Sequence, residues 1–183
     1  MTSLVCFGIV VILILWFIGM YNGLVRERNE VKNSWAQIDV QLKRRHDLIP
    51  NLVETVKGYA AHERTTLDSV VQARARAVSA EGVASRARAE SELGGALGRL
   101  MLVVEQYPDL KANQNFLALQ EELTSTENKI GFARQYYNDS VMKYNTRIQS
   151  VPANVVAGMF NFRQEDFFEL EEPAERAVPQ VKF

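Results

Sequence analysis

The chain has 183 residues, of which 23% are charged, and its formal net charge is -1. A net charge so close to zero creates no global field for a nucleic acid, so binding to DNA or RNA is not expected. The single cysteine, Cys6, excludes a disulfide framework and a thiolate metal cluster. After the N-terminal segment, the remaining length suits one domain.

The N-terminal segment is apolar over a length that can cross a lipid bilayer. Every residue from Leu4 to Met20 is apolar or glycine, and no charged side chain precedes Arg26. About 20 such residues in a helix span the hydrocarbon core of a bilayer. A cleaved signal peptide is the alternative, but the basic start and the small-residue cleavage site that it requires are both missing. The sequence therefore predicts a transmembrane anchor at residues 1–23.

The residues around the anchor predict its orientation. Trp16 and Tyr21 lie toward its C-terminal end, where interfacial aromatic residues are common. Arg26, Arg28 and Lys32 follow, whereas the N-terminal flank carries only its α-amino group. Because positively charged flanks stay in the cytoplasm, we expect a single-pass protein whose main domain is cytoplasmic.

Beyond the anchor, apolar residues recur at steps of three and four, which is the pattern of a packed amphipathic helix. The residues on this face are Leu24, Val31, Trp35, Ile38, Leu42, Ile49, Leu52, Val56, Tyr59 and Val70. Pro50 interrupts the stretch because proline lacks an amide hydrogen and clashes with the carbonyl four residues earlier. We therefore expect a helix break at Pro50, with Asp47 able to cap the second helix. A continuous helix on the order of 80 Å long is the alternative, because the three-four pattern crosses Pro50 almost in phase.

A polar stretch with small residues, Ser79 to Ser85, is predicted to end the second helical segment. A third segment follows to about Gln106, where Tyr107-Pro108-Asp109 stops it. Its inward residues are Leu93, Leu97, Leu100, Val103 and Val104.

The fourth segment is predicted to begin at Asn113, a suitable N-cap, and to end where Val151 meets Pro152. Its inward residues are Phe116, Leu119, Leu123, Ile130, Ala133, Tyr137, Val141, Tyr144 and Ile148. No β-alternation of useful length is present, so the fold class is all-α. We expect an up-and-down four-helix bundle with long helices at residues 24–151 and an irregular C-terminal tail at residues 152–183.

These segments resemble the LemA family of bacterial membrane-anchored proteins. The matching stretches are YNGLVRERNEVKNSWAQIDVQLKRRHDLIPNLVETVKGYAAHE, YPDLKANQNFLALQEELTSTENKIGFARQYYNDSV and YNTRIQSVP. In the tail, the family's spacing is matched by Phe162, Phe168, Glu169, Arg176, Pro179, Val181 and Phe183. The resemblance implies a cytoplasmic-membrane protein with a four-helix up-and-down domain and no established enzymatic activity. A relative from the magnetosome membrane suggests membrane organisation by analogy only.

The sequence offers weak signals for metal or phosphate binding. His46 with Asp47 and His62 with Glu63 are sequence neighbours, so their side chains point to different faces of a helix, and no H-E-x-x-H spacing exists. Gly94 and Gly98 in GGALG have no preceding strand and no following Lys-Ser/Thr, so close helix packing is the preferred interpretation. We expect no metal, no cofactor and no catalytic residues.

Two groups of polar residues are candidate sites. The first is a polar cluster inside the bundle, with the members Arg45, Glu127, Asn138 and Asn145. It would either hold a small ligand or only fix the register of the helices. A membrane-facing basic cluster would consist of Arg26, Arg28, Arg74, Arg76, Arg86 and Arg88. The second group depends on the break at Pro50, which would turn the connection between the second and third segments toward the lipid. Ordinary solvated surface charge is its alternative explanation.

The tail contains an apolar run from Val155 to Phe160, followed by Phe162, Phe167 and Phe168 among acidic residues. It is expected to pack on the bundle, on the membrane surface or on a neighbouring subunit. The most direct interpretation of the whole chain is a membrane-anchored helical scaffold that binds membrane lipids and either copies of itself or another membrane protein. A lipid-binding or membrane-shaping oligomer and a ligand-sensing domain are the alternatives.

The predicted topology can be tested with cysteines at Asp68 and Glu171. A membrane-impermeant thiol reagent should leave both unlabelled in intact cells, because the domain is expected on the cytoplasmic side. Labelling of both positions would reverse the topology.

Overall fold

A computed structural model describes residues 1–168, and every regular element within them is a helix. In chain order the helices are α1 (Thr2–Lys57), α2 (Arg64–Ser79), α3 (Val83–Val104), α4 (Pro108–Lys111), α5 (Gln114–Gln149) and α6 (Ala153–Met159). The predicted all-α class with long helices is confirmed. The rest of the tail, residues 169–183, lies outside the described residues, as does the proposed labelling position Glu171.

The chain divides into two compact units, and α1 and α5 each contribute to both. The first unit, called the anchor unit below, comprises Met1–Gln41 and Lys129–Phe167. The second unit, called the bundle unit, comprises Leu42–Asn128 together with Phe168 among the described residues.

In the bundle unit the final turns of α1, the helices α2 and α3 and the first turns of α5 enclose an apolar core. Its members recur at steps of three and four along each helix, so one face of every helix is buried. The buried apolar residues are Leu48, Ile49, Leu52, Val53, Val56, Ala60, Leu67, Val70, Ala73, Ala77, Leu93, Ala96, Leu100, Val104, Leu110, Phe116 and Leu123.

In the anchor unit, α1 and α5 provide most of the buried apolar side chains, and the tail adds Ala153, Val156, Ala157 and Phe162. The members from α1 and α5 are Leu24, Val31, Ile38, Ile130, Tyr137, Val141, Tyr144 and Ile148, all predicted as inward positions. Trp35, also predicted in the core, is only half-buried, and its ring packs 5.4 Å from that of Tyr137.

Three of the predicted helix ends are confirmed. Helix α2 ends at Ser79, and the turn to α3 passes through Gly82, whose φ of 79° lies in the left-handed region that favours glycine. Helix α3 ends at Val104, shortly before Pro108. The side chain of Asn113 caps α5, since its Oδ1 accepts the backbone N–H of Phe116 at 3.1 Å.

The predicted break at Pro50 is wrong, because α1 continues through it to Lys57. Proline at this position leaves the carbonyl of His46 without its helical donor. Arg74 on α2 replaces that donor, since its Nε donates to the His46 carbonyl oxygen at 2.7 Å. Pro50 itself is exposed, so its ring meets solvent. Asp47 therefore lies inside the helix and caps nothing.

The helix ends seven residues later, and this changes the role of one predicted core residue. Tyr59 follows Lys57, the last residue of α1, and is 45% exposed rather than buried. Its hydroxyl accepts the Asn113 side-chain amide at 2.9 Å, which joins the end of α1 to the start of α5.

We expect Arg74→Met to destabilise the full chain by about 1–3 kcal/mol, because the part-buried His46 carbonyl then loses the donor that replaces the missing amide hydrogen of Pro50. In a Pro50→Ala background the same substitution should cost less, since the new amide at position 50 can donate to His46. Thermal unfolding in detergent micelles gives the stabilities of the unchanged chain, Arg74→Met, Pro50→Ala and the double variant, which together form a double-mutant cycle.

The matched control is Arg76→Met on the same helix. Arg76 pairs with Glu92 at 3.0 Å, and both side chains are 56% exposed. Loss of such a pair should change stability by at most about 1 kcal/mol. An Arg74 effect that is equal in the two backgrounds would contradict the compensation of Pro50.

Candidate functional site

A buried group of charged side chains lies in the bundle unit; we call it the Arg45 cluster, formed by Arg45, His46, Glu90 and Glu127. The guanidinium of Arg45 is only 3% exposed. Its Nη2 donates to the Glu90 carboxylate, and its Nη1 donates to Glu127 Oε2 at 2.7 Å. The second Glu90 oxygen lies 2.8 Å from His46 Nε2.

The helical repeat explains why these side chains meet. Arg45 and His46 lie on the buried face of α1, between Leu42 and Ile49. Glu90 occupies the corresponding face of α3, three residues from Ala87 on one side and from Leu93 on the other. Glu127 comes from α5 and is 56% exposed, so the cluster reaches solvent on that side.

The electrostatics of the cluster favour an ionised Glu90. Burial alone raises the pKa of this carboxyl, but the His46 hydrogen bond and the charge of Arg45 outweigh it and hold the pKa below its ordinary value of 4.5. One guanidinium then faces two carboxylates. The Nε of Arg45 is buried and has no hydrogen-bond partner.

A surface groove of about 300 Å³ borders the cluster at Glu127. Its lining comes from α3 and α5 and consists of Gly94, Leu97, Gly98, Met101, Gln120, Leu123, Thr124 and Glu127. The interpretation of Gly94 and Gly98 as a close-packing pair is wrong, because a Cβ added at either position would have no neighbour within 4 Å. The two glycines therefore keep one wall of the groove open.

The predicted polar cluster is divided between the two units. Arg45 and Glu127 pair directly in the bundle unit, whereas Asn138 and Asn145 lie in the anchor unit. The side chain of Asn145 forms two hydrogen bonds with the backbone of Glu165. Asn145 Nδ2 donates to the Glu165 carbonyl oxygen at 2.9 Å, and the Glu165 backbone N–H donates to Asn145 Oδ1 at 3.0 Å. Its function is therefore to hold the tail.

Tyr137 holds the next residue of the tail. Its hydroxyl donates to the carbonyl of Asp166 at 2.8 Å. Burial, with the charges of Glu165 and Asp166, raises the pKa of Tyr137 to about 12, so its proton stays in place across the physiological range.

The six arginines of the predicted basic cluster have varied surroundings. Arg26 is exposed, and the guanidinium of Arg28 lies 4.8 Å from the centre of the Phe162 ring. Arg74 and Arg76 have the partners described above, and Arg86 and Arg88 also interact within the protein. The continuous α1 removes the helix break on which the membrane-facing geometry was based. The contact of this cluster with lipid stays a prediction.

Sequence reasoning missed His46 and Glu90 as partners. In the sequence, His46 is a candidate only for metal binding, and Glu90 is not predicted to be buried. Within residues 1–168, no three or more His, Cys, Asp or Glu side chains group together as metal ligands would. The available signal was position, because Glu90 falls on the buried face of α3 at the same spacing as its apolar neighbours.

The N-terminal part of α1 is a long apolar stretch, and none of its residues is buried in the protein. By length and composition this helix can cross a membrane, and its exposure distinguishes it from the core helix of a soluble domain. A long exposed apolar helix that continues into a helical bundle defines a membrane-associated helical protein.

The chain belongs to the LemA family, whose sequence model matches residues 34–183. It is 28% identical over 157 residues to the protein LemA of Metamycoplasma hominis, a match that covers 85% of this chain and 72% of that protein. It is 27% identical over 180 residues to the magnetosome protein MamQ 2 of Paramagnetospirillum magneticum, covering 84% of this chain. A MamQ of Magnetospirillum gryphiswaldense matches to the same extent. The chain spans 66% of the length of these MamQ proteins, slightly less than two thirds.

We expect Glu90→Gln to destabilise the protein by about 3 kcal/mol at neutral pH, because the buried Arg45 loses its main counter-charge. The matched control is Glu122→Gln, which removes the partner of the half-exposed Arg44 at 2.7 Å and should cost at most about 1 kcal/mol. Denaturant unfolding of the full chain in detergent compares the two. Equal costs would contradict a buried role for Glu90.

The ion pair between Arg45 and Glu90 also makes the stability of the protein depend on pH. Because the folded-state pKa of Glu90 is lowered, its contribution to stability is present above about 4.5 and is lost as the pH falls through the folded-state pKa. Unfolding midpoints between about pH 5 and pH 3 should fall less steeply for Glu90→Gln than for the unchanged chain. Parallel slopes would show that another group controls the acid transition.

Proposed function

We propose that the protein is a membrane-anchored scaffold that associates with copies of itself on the cytoplasmic face of the membrane. The observation that supports this best is a large apolar side chain left exposed beside a groove in the anchor unit. Phe132 on α5 is 74% exposed, and Val40 on α1 is 63% exposed. Large apolar side chains that cluster on a surface mark interaction sites more often than isolated ones do.

These residues border a groove of about 440 Å³ between α1 and α5, called the Phe132 groove. It is lined by Gln37, Val40, Gln41, Lys129, Phe132, Ala133 and Tyr136. The lining carries one cation and otherwise apolar or uncharged groups, which suits the apolar face of another helix.

Membrane anchoring favours a second copy as the occupant. All copies that share one membrane hold the Phe132 groove at the same height above it, so the same surface on two copies can meet in a two-fold contact. Phe132 is then both the side chain that inserts and a wall of the groove that receives its counterpart. A role in organising membranes comes to this chain only by analogy with its relatives named as magnetosome proteins.

A ligand-sensing function is the second candidate, and it is favoured by the groove on α3 and α5 that ends at Glu127. A ligand there could compete with Arg45 for this carboxylate. Detergent-extracted protein that is monomeric and carries a bound small molecule would favour the ligand-sensing function over the scaffold function.

We expect Phe132→Asp to abolish self-association, because two carboxylates would face each other in a closely packed apolar contact. The assay uses the full chain with Cys6→Ser and a new cysteine at Gln37, treated in intact cells with a membrane-permeant bismaleimide. A crosslinked dimer should form with Phe132 present and disappear with Phe132→Asp.

The matched control is Leu102→Asp, since Leu102 on α3 is 70% exposed but lies in the bundle unit. This variant should crosslink as well as the starting chain. Absence of a dimer in the starting chain, or a dimer that persists with Phe132→Asp, would overturn the self-association.

A further inference from the structure

Helix α6 and the residues around it expose a second apolar surface. Val151, Val155, Met159 and Phe160 are 81%, 61%, 66% and 47% exposed. The opposite side of α6 is buried, through Ala153, Val156 and Ala157. The two largest apolar side chains here, Met159 and Phe160, are exposed while two alanines are buried, which is the reverse of the arrangement expected in water.

This segment also lacks charge. From Val151 to Phe162 the sequence reads VPANVVAGMFNF, without a single ionisable side chain. The nearest cations along the chain are Arg147 before it and Arg163 after it. Arg147 binds Glu27 of α1 at 3.0 Å, whereas Arg163 is exposed. An exposed arginine beside an uncharged apolar stretch is typical of segments at the membrane interface, because its long side chain can extend to the polar head groups.

The position of the segment relative to the anchor identifies what meets the exposed surface. The ring of Phe160 lies 6.1 Å from that of Phe17 and 4.7 Å from that of Tyr21. Phe17 belongs to the apolar run that ends at Met20, so Phe160 lies beside the last turn of the anchor. Trp16 and Met20 of that run also line one cavity with Val151, which places both ends of the segment near the anchor.

The backbone of the segment is suited to a medium without water. The amide of Phe162 donates to the carbonyl of Ala157 at 2.9 Å and that of Asn161 to Gly158 at 3.4 Å, while Asn161 has a φ of 55°. These are the bonds and the left-handed residue of a Schellman motif, which satisfies the last carbonyls of a helix internally. Internal satisfaction of backbone groups is a requirement for contact with lipid.

We propose that residues 151–162 form a second membrane element, which lies in the bilayer interface beside the anchor with Val151, Val155, Met159 and Phe160 in the lipid. The proposal rests on the membrane-spanning anchor of the proposed function but not on self-association. The protein then contacts the bilayer at two places far apart in sequence, at the anchor and after α5. The second contact restrains the tilt of the anchor unit relative to the membrane plane, which a lone spanning helix leaves freer.

The test uses the full chain with Cys6→Ser and single cysteines that carry an environment-sensitive fluorophore, reconstituted in phosphatidylcholine and phosphatidylglycerol vesicles. Labels at Val155 and Met159 should be quenched by nitroxide-labelled phospholipid and protected several-fold from aqueous iodide. A label at Leu102, equally apolar and 70% exposed but in the bundle unit, should show the opposite pattern.

Three other outcomes are distinguishable. Iodide quenching at Val155 and Met159 equal to that at Leu102 would overturn the proposal. Protection from both quenchers would overturn it as well, because the surface would then be covered by protein. A label at Ile12 reports on the anchor itself. If lipid nitroxides fail to quench Ile12, the membrane-spanning anchor of the proposed function fails, and this result is separate from the α6 result.

Discussion

A guanidinium cannot be buried in a protein core without a counter-charge, and this constraint organises the bundle unit. Arg45 is buried on α1, and its charge is balanced by Glu90 of α3 and Glu127 of α5. The adjacent residue, His46, binds Glu90 through its ring and accepts Arg74 of α2 at its backbone carbonyl. Two consecutive residues of α1 thus bond to every other long helix of the unit. A slip of any of these helices by one turn would leave a buried charge or a buried carbonyl without its partner, so the cluster fixes the register that apolar packing alone leaves loose.

The sequence predicted most of the helices and most of the core, because one buried face per helix leaves a three-four repeat that can be read directly. It failed at Pro50 because the rule for proline is local, whereas the donor that compensates for it comes from Arg74, 28 residues away from the His46 carbonyl. Gly94 and Gly98 were misread for a related reason. Whether a small residue makes room for a neighbouring helix or simply leaves a gap depends on what lies opposite, and one chain's spacing does not contain that information. Arg45 and Glu127 both belong to the predicted polar cluster, and they form an ion pair at 2.7 Å. Glu90 was not predicted as their partner, because a charged residue does not stand out in an apolar three-four repeat although it lies on the buried face of α3.

The two units carry different chemistry. The bundle unit buries one ion pair, Arg45 with Glu90, which joins two of its helices and is screened by salt less than the exposed pairs are. The anchor unit exposes apolar groups, Phe132 on one surface and the α6 segment on another, and its polar side chains Tyr137 and Asn145 hold the tail by its backbone. This division fits a protein whose bundle unit supplies rigidity and whose anchor unit supplies contacts. The same division separates the ligand-sensing candidate, which belongs to the bundle unit, from the scaffold and membrane functions.

The open groove wall formed by Gly94 and Gly98 has a consequence for the dynamics of α3. Glycine in a helix interior is less favourable than alanine by about 1 kcal/mol, and here no crowding requires it, since each position has room for a methyl group. The middle of α3 therefore has a lower intrinsic helical preference than its ends, although it is anchored on both sides by the buried residues Glu90 and Leu100. We therefore expect brief local opening of this stretch to cost less than it would with alanine at both positions. A molecule that occupied the groove would oppose such opening and slow the exchange of amide hydrogens with solvent.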